Sequence, residues 1–319
     1  MQIANPIYDV VFKYMMEDAK VAKLLISSII SEDIEELKFR PQEFTTDIEK
    51  ESISNKPGIL TVYRIDFTAS IKTKEGLKNV IIEIQKAKFA TDIMRFRRYL
   101  GEQYANSDNT QTVTINNVPR KSGIPVISIY FLGHHLDHTD AGVIGVKRCY
   151  TDLITGKPIK TRESFIESLT HDSYIIQIPK LTQKRRNELE ILLSVFDQSS
   201  RVEPYHHILN IKEEDYPKKY SHLIRRLQKA VSDSEMKKRM DFEDGMLDDL
   251  KEMQRSIDTL EQKTKMISEE KDRIAEEKDR IEEEKDRIEE EKDRIVEEKD
   301  RIVEENAELK RRLAELDSV

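Results

Sequence analysis

The last quarter of the chain carries a seven-residue repeat that constrains its secondary structure more tightly than any other feature of the sequence. Isoleucine or leucine occupies every seventh position, at Ile267, Ile274, Ile281, Ile288, Ile295, Ile302, Leu309 and Leu316. Apolar residues at this spacing fall on one side of a helix and are typical of coiled coils. We therefore predict a coiled coil over residues 246–316, a rod about 105 Å long.

The second core position of the same repeat is polar through the middle of the tail. It carries Lys271, Lys278, Lys285, Lys292, Lys299 and Asn306, and only the two ends of the repeat have apolar residues at both positions. Lysine and asparagine there favour a parallel dimer over larger assemblies, at a cost in stability. We expect a homodimer joined through residues 246–316, in which the stretch from Lys271 to Glu305 is either paired or a single helix.

Charge is distributed unevenly between this tail and the rest of the chain. The 319 residues have a formal net charge of −8, to which residues 246–319 contribute −10 and residues 1–245 contribute +2. The overall acidity therefore does not exclude nucleic acid as a partner of the front part. Because the chain has one cysteine, no signal-like N-terminus and no apolar stretch long enough to span a bilayer, we expect a cytoplasmic protein without a membrane partner.

Residues 1–245 alternate between helical and strand-like patterns. Apolar residues recur at helical spacing over residues 7–30, 89–104 and 181–196, whereas residues 59–85 have the period of two that is typical of a hairpin. The segments IPVISIYFL and SYIIQIP are predicted to be a buried strand and an edge strand of the same sheet. The order favours an α/β domain, a mixed sheet flanked by helices. We expect this domain at residues 1–200 and a helical linker region at 201–245.

Two carboxylates on the predicted hairpin suggest a metal site. If the turn is centred between Lys74 and Glu75, positions whose numbers sum to 149 face each other, and Asp66 lies opposite Glu83. Directly opposed residues of an antiparallel pair have Cβ atoms about 5 Å apart, so the carboxylates repel each other unless a cation lies between them. Mg²⁺ suits such a pair. The other interpretation is that both residues are solvated on an exposed face of the sheet.

Several short motifs occur in an order typical of one nuclease family. IDF precedes IIEIQK with Asp66 seventeen residues before Glu83, the opening NPIYDVVFKYMM contains Asp9 and Lys13, and Arg95 lies four residues before a tyrosine on the next predicted helix. Over roughly residues 5–200 the chain resembles the PD-(D/E)XK nuclease family transposases, relatives of the recombination-promoting nucleases, in the branch with an ExQ motif. The resemblance implies a restriction-endonuclease-like fold.

The resemblance also implies roles for individual side chains. Asp66, Glu83 and Gln85 are the expected catalytic residues, with Asp66 and Glu83 holding Mg²⁺ or Mn²⁺ and Gln85 standing where the family usually has lysine. Asp9 is either an additional metal ligand or a carboxylate at the positive end of a helix dipole. The residues expected to contact nucleic acid are Arg95, Lys13, Lys88, Arg98 and Tyr99.

Two functions from different classes are consistent with this pattern. The first is a Mg²⁺-dependent endodeoxyribonuclease, a hydrolase that the resemblance links to recombination or mobile elements. The second is a catalytically inactive nuclease-fold scaffold that binds nucleic acid or protein and is oligomerised by its coiled coil. Gln85 motivates the second function, because its amide hydrogen-bonds water or a phosphate oxygen but cannot act as a base.

Overall fold

Helices and strands alternate through the front part of the computed structural model, as the changes in hydrophobic period predicted. The structure describes residues 1–40, 67–86, 92–115, 117–181 and 186–316. It divides into two units, Met1–Asp248 and Asp249–Val319. The first unit contains a mixed sheet flanked by helices, and the second continues one long helix.

The strands are β1 (Gln2–Ala4), β2 (Ile34–Phe39), β3 (Phe67–Thr73), β4 (Gly76–Gln85), β5 (Thr110–Ile115), β6 (Val118–Gly123), β7 (Val126–Leu132), β8 (Val143–Val146), β9 (Tyr150–Thr151), β10 (Pro158–Ile159), β11 (His171–Gln177), β12 (Arg201–Val202) and β13 (Tyr205–Asn210). The helices are α1 (Asp9–Met16), α2 (Ala19–Ile30), α3 (Asp92–Ala105), α4 (Ser164–Leu169), α5 (Glu188–Leu193), α6 (Ser221–Val231) and α7 (Ser234–Leu316). The predicted helix at residues 181–196 is thus shorter in its described part, where α5 leads into a 3₁₀ turn.

The main sheet has the strand order β2-β3-β4-β7-β11-β8. Strands β4, β7 and β11 run parallel at its centre, and β2, β3 and β8 add antiparallel neighbours. The expected mixed sheet is confirmed, but β11 lies inside the sheet and not at its edge. Its outer neighbour β8 has only four residues, too few for their alternation to stand out in the sequence.

The β3–β4 hairpin has the register that the sequence predicted. Thr73 pairs with Gly76 across a two-residue turn, and Phe67 pairs with Ile82 at the last described step, so each pair sums to 149. Asp66 lies outside the described residues, and its position opposite Glu83 therefore stays a prediction.

Strand β4 buries side chains on both of its faces. Ile82 and Ile84 belong to the main core with side chains of α1 and α2. Ile81 packs with Phe96 of α3 in a smaller core on the opposite face. Burying a side chain of this kind stabilises the fold by about 1.5–3 kcal/mol. Because successive side chains alternate across a strand, Glu83 falls on the α3 face.

Residues 201–248 belong to the first unit, which extends beyond the boundary at residue 200 that we expected. Strand β13 pairs with β1, bringing Ile208 beside Ala4, and the expected helical linker therefore contains strands as well as α6. Met236 and Met240, at the start of α7, are buried in the main core. A pairing between segments about 200 residues apart leaves no local signal in the sequence, which explains the difference.

The tail is helical throughout its described length, as the heptad repeat predicted. The isoleucines of the repeat are exposed, from 48% at Ile302 to 70% at Ile267. Pairing of this stripe with another chain stays a prediction. In the described part of the chain, no helix combines the length and the apolar character needed to cross a bilayer.

Gly133, which follows β7, approaches the end of β4 too closely for a side chain. Its N–H donates to Gln85 O at 2.6 Å, and an added Cβ would lie 2.5 Å from Lys86 O. We expect Gly133→Ala to lower the free energy of unfolding by about 1–3 kcal/mol, because the backbone of β4 has to shift.

The matched control is Gly101→Ala on the exposed side of α3, where an added Cβ has no neighbour within 4 Å. Alanine is the better helix former, so this variant should gain about 0.5–1 kcal/mol. Urea unfolding followed by circular dichroism measures both changes. Equal effects at the two glycines would contradict the close approach of Gly133 to β4.

Candidate active site

Glu83 and Gln85 lie at the carboxyl end of β4, on the face covered by α3. Glu83 is 1% exposed and Gln85 is 9% exposed. A carboxylate that is removed from water costs several kcal/mol unless it is paired or bound to a metal. The interpretation of Glu83 as a solvated residue on an open sheet face is therefore wrong.

Arg95 of α3 provides the cation that faces Glu83. Its Nη2 donates to Glu83 Oε1 at 2.6 Å, and its side chain is 32% exposed. The pair thus joins a buried anion to a cation that still reaches solvent. A charged hydrogen bond of this kind is stronger than a neutral one, and it orients the carboxylate.

Aromatic side chains form the wall beside this pair. Tyr130 of β7 pairs with Glu83 in the sheet register, and its ring lies 3.9 Å from the ring of Phe96, centre to centre. Burial raises the pKa of Tyr130, and the negative charge of Glu83 raises it further. Tyr99, which we expected to contact nucleic acid, is buried in the same small core, where it packs against Phe96.

The first helix contributes Asp9 and Lys13. Lys13 Nζ lies 2.7 Å from Asp9 Oδ2, one helical turn away, and Asp9 is in the first turn of α1. This placement agrees with a carboxylate at the positive end of a helix dipole. The role of Asp9 as a metal ligand stays a prediction.

The remaining predicted residues are only partly described. Arg98 is exposed on α3, whereas Asp66 and Lys88 lie outside the described residues. Within the part of the chain that is described, no group of three or more His, Cys, Asp or Glu side chains is arranged to hold a metal. The carboxylate of Glu83 is a hard oxygen donor of the kind that Mg²⁺ accepts, so its chemistry is compatible with the predicted role as a magnesium ligand.

A charged cluster on the opposite side of β4 was not predicted from the sequence. Asp244 of α7 accepts a hydrogen bond from Tyr8 Oη at 2.8 Å, lies 2.9 Å from His207 Nε2 and is ion-paired with Lys86. Lys86 follows β4 directly, and its Nζ lies 3.5 Å from the centre of the Tyr8 ring. We call Tyr8, Lys86, His207 and Asp244 the Asp244 cluster.

Its neighbour Glu243 caps the first helix from another part of the chain. The two carboxylate oxygens of Glu243 accept from Asp9 N and Val10 N, each at 3.0 Å. The start of α7 therefore holds both the start of α1 and the residue after the candidate catalytic strand. In the sequence these acids stand in DFEDGMLDDL, where they resemble the solvated residues of an acidic helix.

Glu243 and Asp244 have opposite pKa shifts. Burial raises the pKa of Glu243 from 4.5 to about 7. Burial also acts to raise the pKa of Asp244, but hydrogen bonds from Lys86, His207 and Tyr8 outweigh it and hold the pKa below the ordinary 3.8. The stabilisation from Asp244 is therefore present above about pH 4 and lost at lower pH.

The raised pKa of Glu243 predicts a pH dependence of stability in a separate range. The stabilisation from its protonation is complete below pH 4.5 and is lost as the pH rises through about 7. We expect Glu243→Gln to become more stable relative to the wild type between about pH 5 and about pH 8, because the variant lacks this titration.

Urea unfolding at a series of pH values measures this difference. Glu235→Gln, which removes an exposed carboxylate from the same helix, is the control for the loss of one charge. A stability difference between Glu243→Gln and the wild type that stays constant over the range would contradict the prediction.

Comparison with known proteins identifies no family for the chain. No family model matches the chain, and neither a curated protein nor a solved structure matches it. A function has to be inferred from the side chains themselves.

Proposed function

We propose that the chain is a metal-dependent DNA endonuclease in which Glu83, together with Asp66, holds Mg²⁺ or Mn²⁺. The observation that supports this most is the burial of Glu83, at 1% exposure, at the end of a central strand. A buried carboxylate is weak as a stabilising element, since its desolvation offsets much of what an ion pair contributes. Its presence at such a position favours a function that needs a negative charge.

The neighbouring side chains support phosphodiester hydrolysis as the proposed reaction. Glu83 and Asp66 would hold the divalent ion, which would supply polarisation of the scissile phosphate and a lower pKa of a bound water. Gln85 lies on the same face and is able to hydrogen-bond a water or a phosphate oxygen. Arg95 is partly exposed beside Glu83, within reach of a phosphate from the solvent side.

A catalytically inactive scaffold is the second candidate function. Gln85 in the lysine position of the resembling family favours it, because an uncharged amide does not provide the charge that the lysine would place beside the attacking water. The two functions differ in one measurable property. A nuclease of this type binds Mg²⁺ or Mn²⁺ through Glu83, whereas the scaffold has no use for a metal.

The decisive variants are Glu83→Gln and Asp66→Ala. We expect each to reduce nicking of a supercoiled plasmid in Mg²⁺ by more than about 100-fold, since even the partners of metal ligands affect activity by about 10–100-fold. Glu75→Gln, at the turn of the same hairpin, should cleave like the wild type. Calorimetric titration with Mn²⁺ should show binding that Glu83→Gln loses.

Two results would decide against the nuclease. Cleavage retained by both folded variants would exclude the assigned ligands. Wild-type protein that neither cleaves nor binds Mn²⁺ would favour the scaffold. Circular dichroism verifies that Glu83→Gln, which also loses the charge facing Arg95, keeps its secondary structure.

We further propose a homodimer formed through residues 246–316. The support is the stripe of exposed apolar side chains, which at Ile257 and Leu260 occupies both core positions of the repeat. Burying each of these side chains contributes about 1.5–3 kcal/mol. A second copy in a parallel coiled coil would cover the same stripe on both helices.

The paired substitution Ile257→Ser and Leu260→Ser tests this dimer. We expect it to weaken dimerisation by at least about 100-fold, measured by analytical ultracentrifugation, since the apolar side chains of two chains are lost together. The control pair Arg255→Ser and Gln262→Ser lies on the outer side of the repeat. A monomeric wild-type protein, or equal effects of the two pairs, would contradict the proposal.

A further inference from the structure

The hairpin formed by β9 and β10 presents two adjacent apolar side chains to solvent. Leu153 is 93% exposed and Ile154 is 97% exposed, more than any other large apolar side chain among the described residues. Isolated apolar residues on a surface are ordinary, but two neighbours at the tip of a hairpin form a projecting wedge. Because both side chains are exposed, their burial does not contribute to the stability of this unit.

Hydrogen bonds around Asp152 hold this tip in one conformation. Asp152 Oδ1 accepts from Ile154 N at 2.9 Å and from Thr155 N at 3.3 Å, and Oδ2 accepts from Thr155 Oγ1 at 2.7 Å. Gly156 closes the turn with φ +67°, a conformation that favours glycine. An ordered tip loses less conformational entropy on binding than a flexible loop.

The segment around the tip is strongly basic in a chain with an acidic total. Residues 147–162 contain five basic residues and one acidic residue, Asp152. Arg148 and Arg162 form ion pairs with Glu167 and so anchor the hairpin to α4. The other three cations, Lys147, Lys157 and Lys160, are exposed.

We infer that the β9–β10 hairpin is a contact for double-stranded DNA, with Leu153 and Ile154 entering the minor groove and Lys157 and Lys160 contacting the flanking phosphates. Minor-groove proteins insert apolar wedges of this size between base steps and neutralise phosphates on either side. The minor groove is about 6 Å wide, which suits a narrow hairpin tip. The choice of DNA rests on the function proposed above.

The charge at the tip distinguishes DNA from other partners. Lysine is depleted from protein–protein interfaces, whereas three exposed lysines surround this wedge. A membrane-binding element usually has a larger apolar face, such as that of an amphipathic helix. Exposed apolar side chains also lie on the adjacent α4, Phe165 among them. Contact with a second copy of the chain is therefore the alternative that the experiment has to exclude.

The hairpin follows the edge strand β8, which lies three strands from β4 in the main sheet. The last residue of β8, Val146, pairs with Ser173 near the start of β11. Glu83 pairs with Tyr130 towards the carboxyl end of the parallel strands. We expect the hairpin to contact a part of the duplex other than the one to be cleaved, so that its contribution to binding is measurable apart from catalysis.

Fluorescence anisotropy with a labelled DNA duplex, in EDTA so that cleavage does not occur, tests the contact. We expect the double substitution Leu153→Ser and Ile154→Ser to weaken binding by about 10-fold or more. Without the inserted wedge, the contacts that offset the energy of bending the DNA are lost. Lys157→Ala with Lys160→Ala should weaken binding and reduce the slope of log affinity against log salt by about two. All four side chains are exposed, so the fold should be unchanged.

The control substitutions lie on the β3–β4 hairpin. Leu77→Ser matches the apolar substitutions, and Lys72→Ala with Lys74→Ala matches the lysines. Wild-type affinity in both β9–β10 variants, or no duplex binding by the wild type, would overturn the inference. So would variants that change the sedimentation of the protein, or that lose binding to phosphatidylserine vesicles, while DNA affinity is unchanged.

The same measurements separate this inference from the proposed function. If Glu83→Gln abolishes cleavage but binds the duplex through the hairpin, both stand. If the wild type binds DNA through the hairpin and never cleaves, the hairpin contact stands and the nuclease fails. If the wild type cleaves and the hairpin variants bind normally, only the hairpin contact fails.

Discussion

The burial of one carboxylate is the constraint around which the candidate site is organised. Glu83 sits at the end of β4 with 1% of its surface exposed, and the guanidinium of Arg95 offsets its charge at 2.6 Å. Removing the carboxylate of Glu83 from water costs several kcal/mol, which its attraction to the partly exposed Arg95 only partly offsets. The main core on one face of β4 and the small aromatic core on the other hold this arrangement in place.

The start of the long helix is part of this arrangement and not only a connection to the tail. Glu243 caps the first helix, and Asp244 holds Lys86 at the end of β4. Local composition predicted a domain that ends at residue 200, whereas these contacts join residues more than 150 positions apart. A buried acidic residue and a solvated one look the same in a sequence, so no sequence pattern predicted the Asp244 cluster.

Much of the fold and part of the site were predictable. The two-residue turn between Thr73 and Gly76 followed from hydrophobic alternation, because a register slip of one residue would move every core side chain of the hairpin to the wrong face. The same alternation predicted that Glu83 and Gln85 share one face of β4 and that Lys86 points to the other face. Tyr99 was assigned to a surface, whereas it lies in a core, because helical spacing does not show which face of α3 meets the sheet.

The sequence by itself determined the periodic features of this protein: the amphipathic helices, the register of the hairpin and the heptad stripe of the tail. These features depend on contacts between near neighbours in the chain. Such contacts recur every two residues in a strand, every three to four in a helix and every seven in a coiled coil. Only the tertiary structure decided that Glu83 is buried against Arg95, that Asp244 reaches Lys86 and that Leu153 and Ile154 remain in solvent. Burial and ion pairing depend on segments that meet after long chain separations, and no local pattern encodes them.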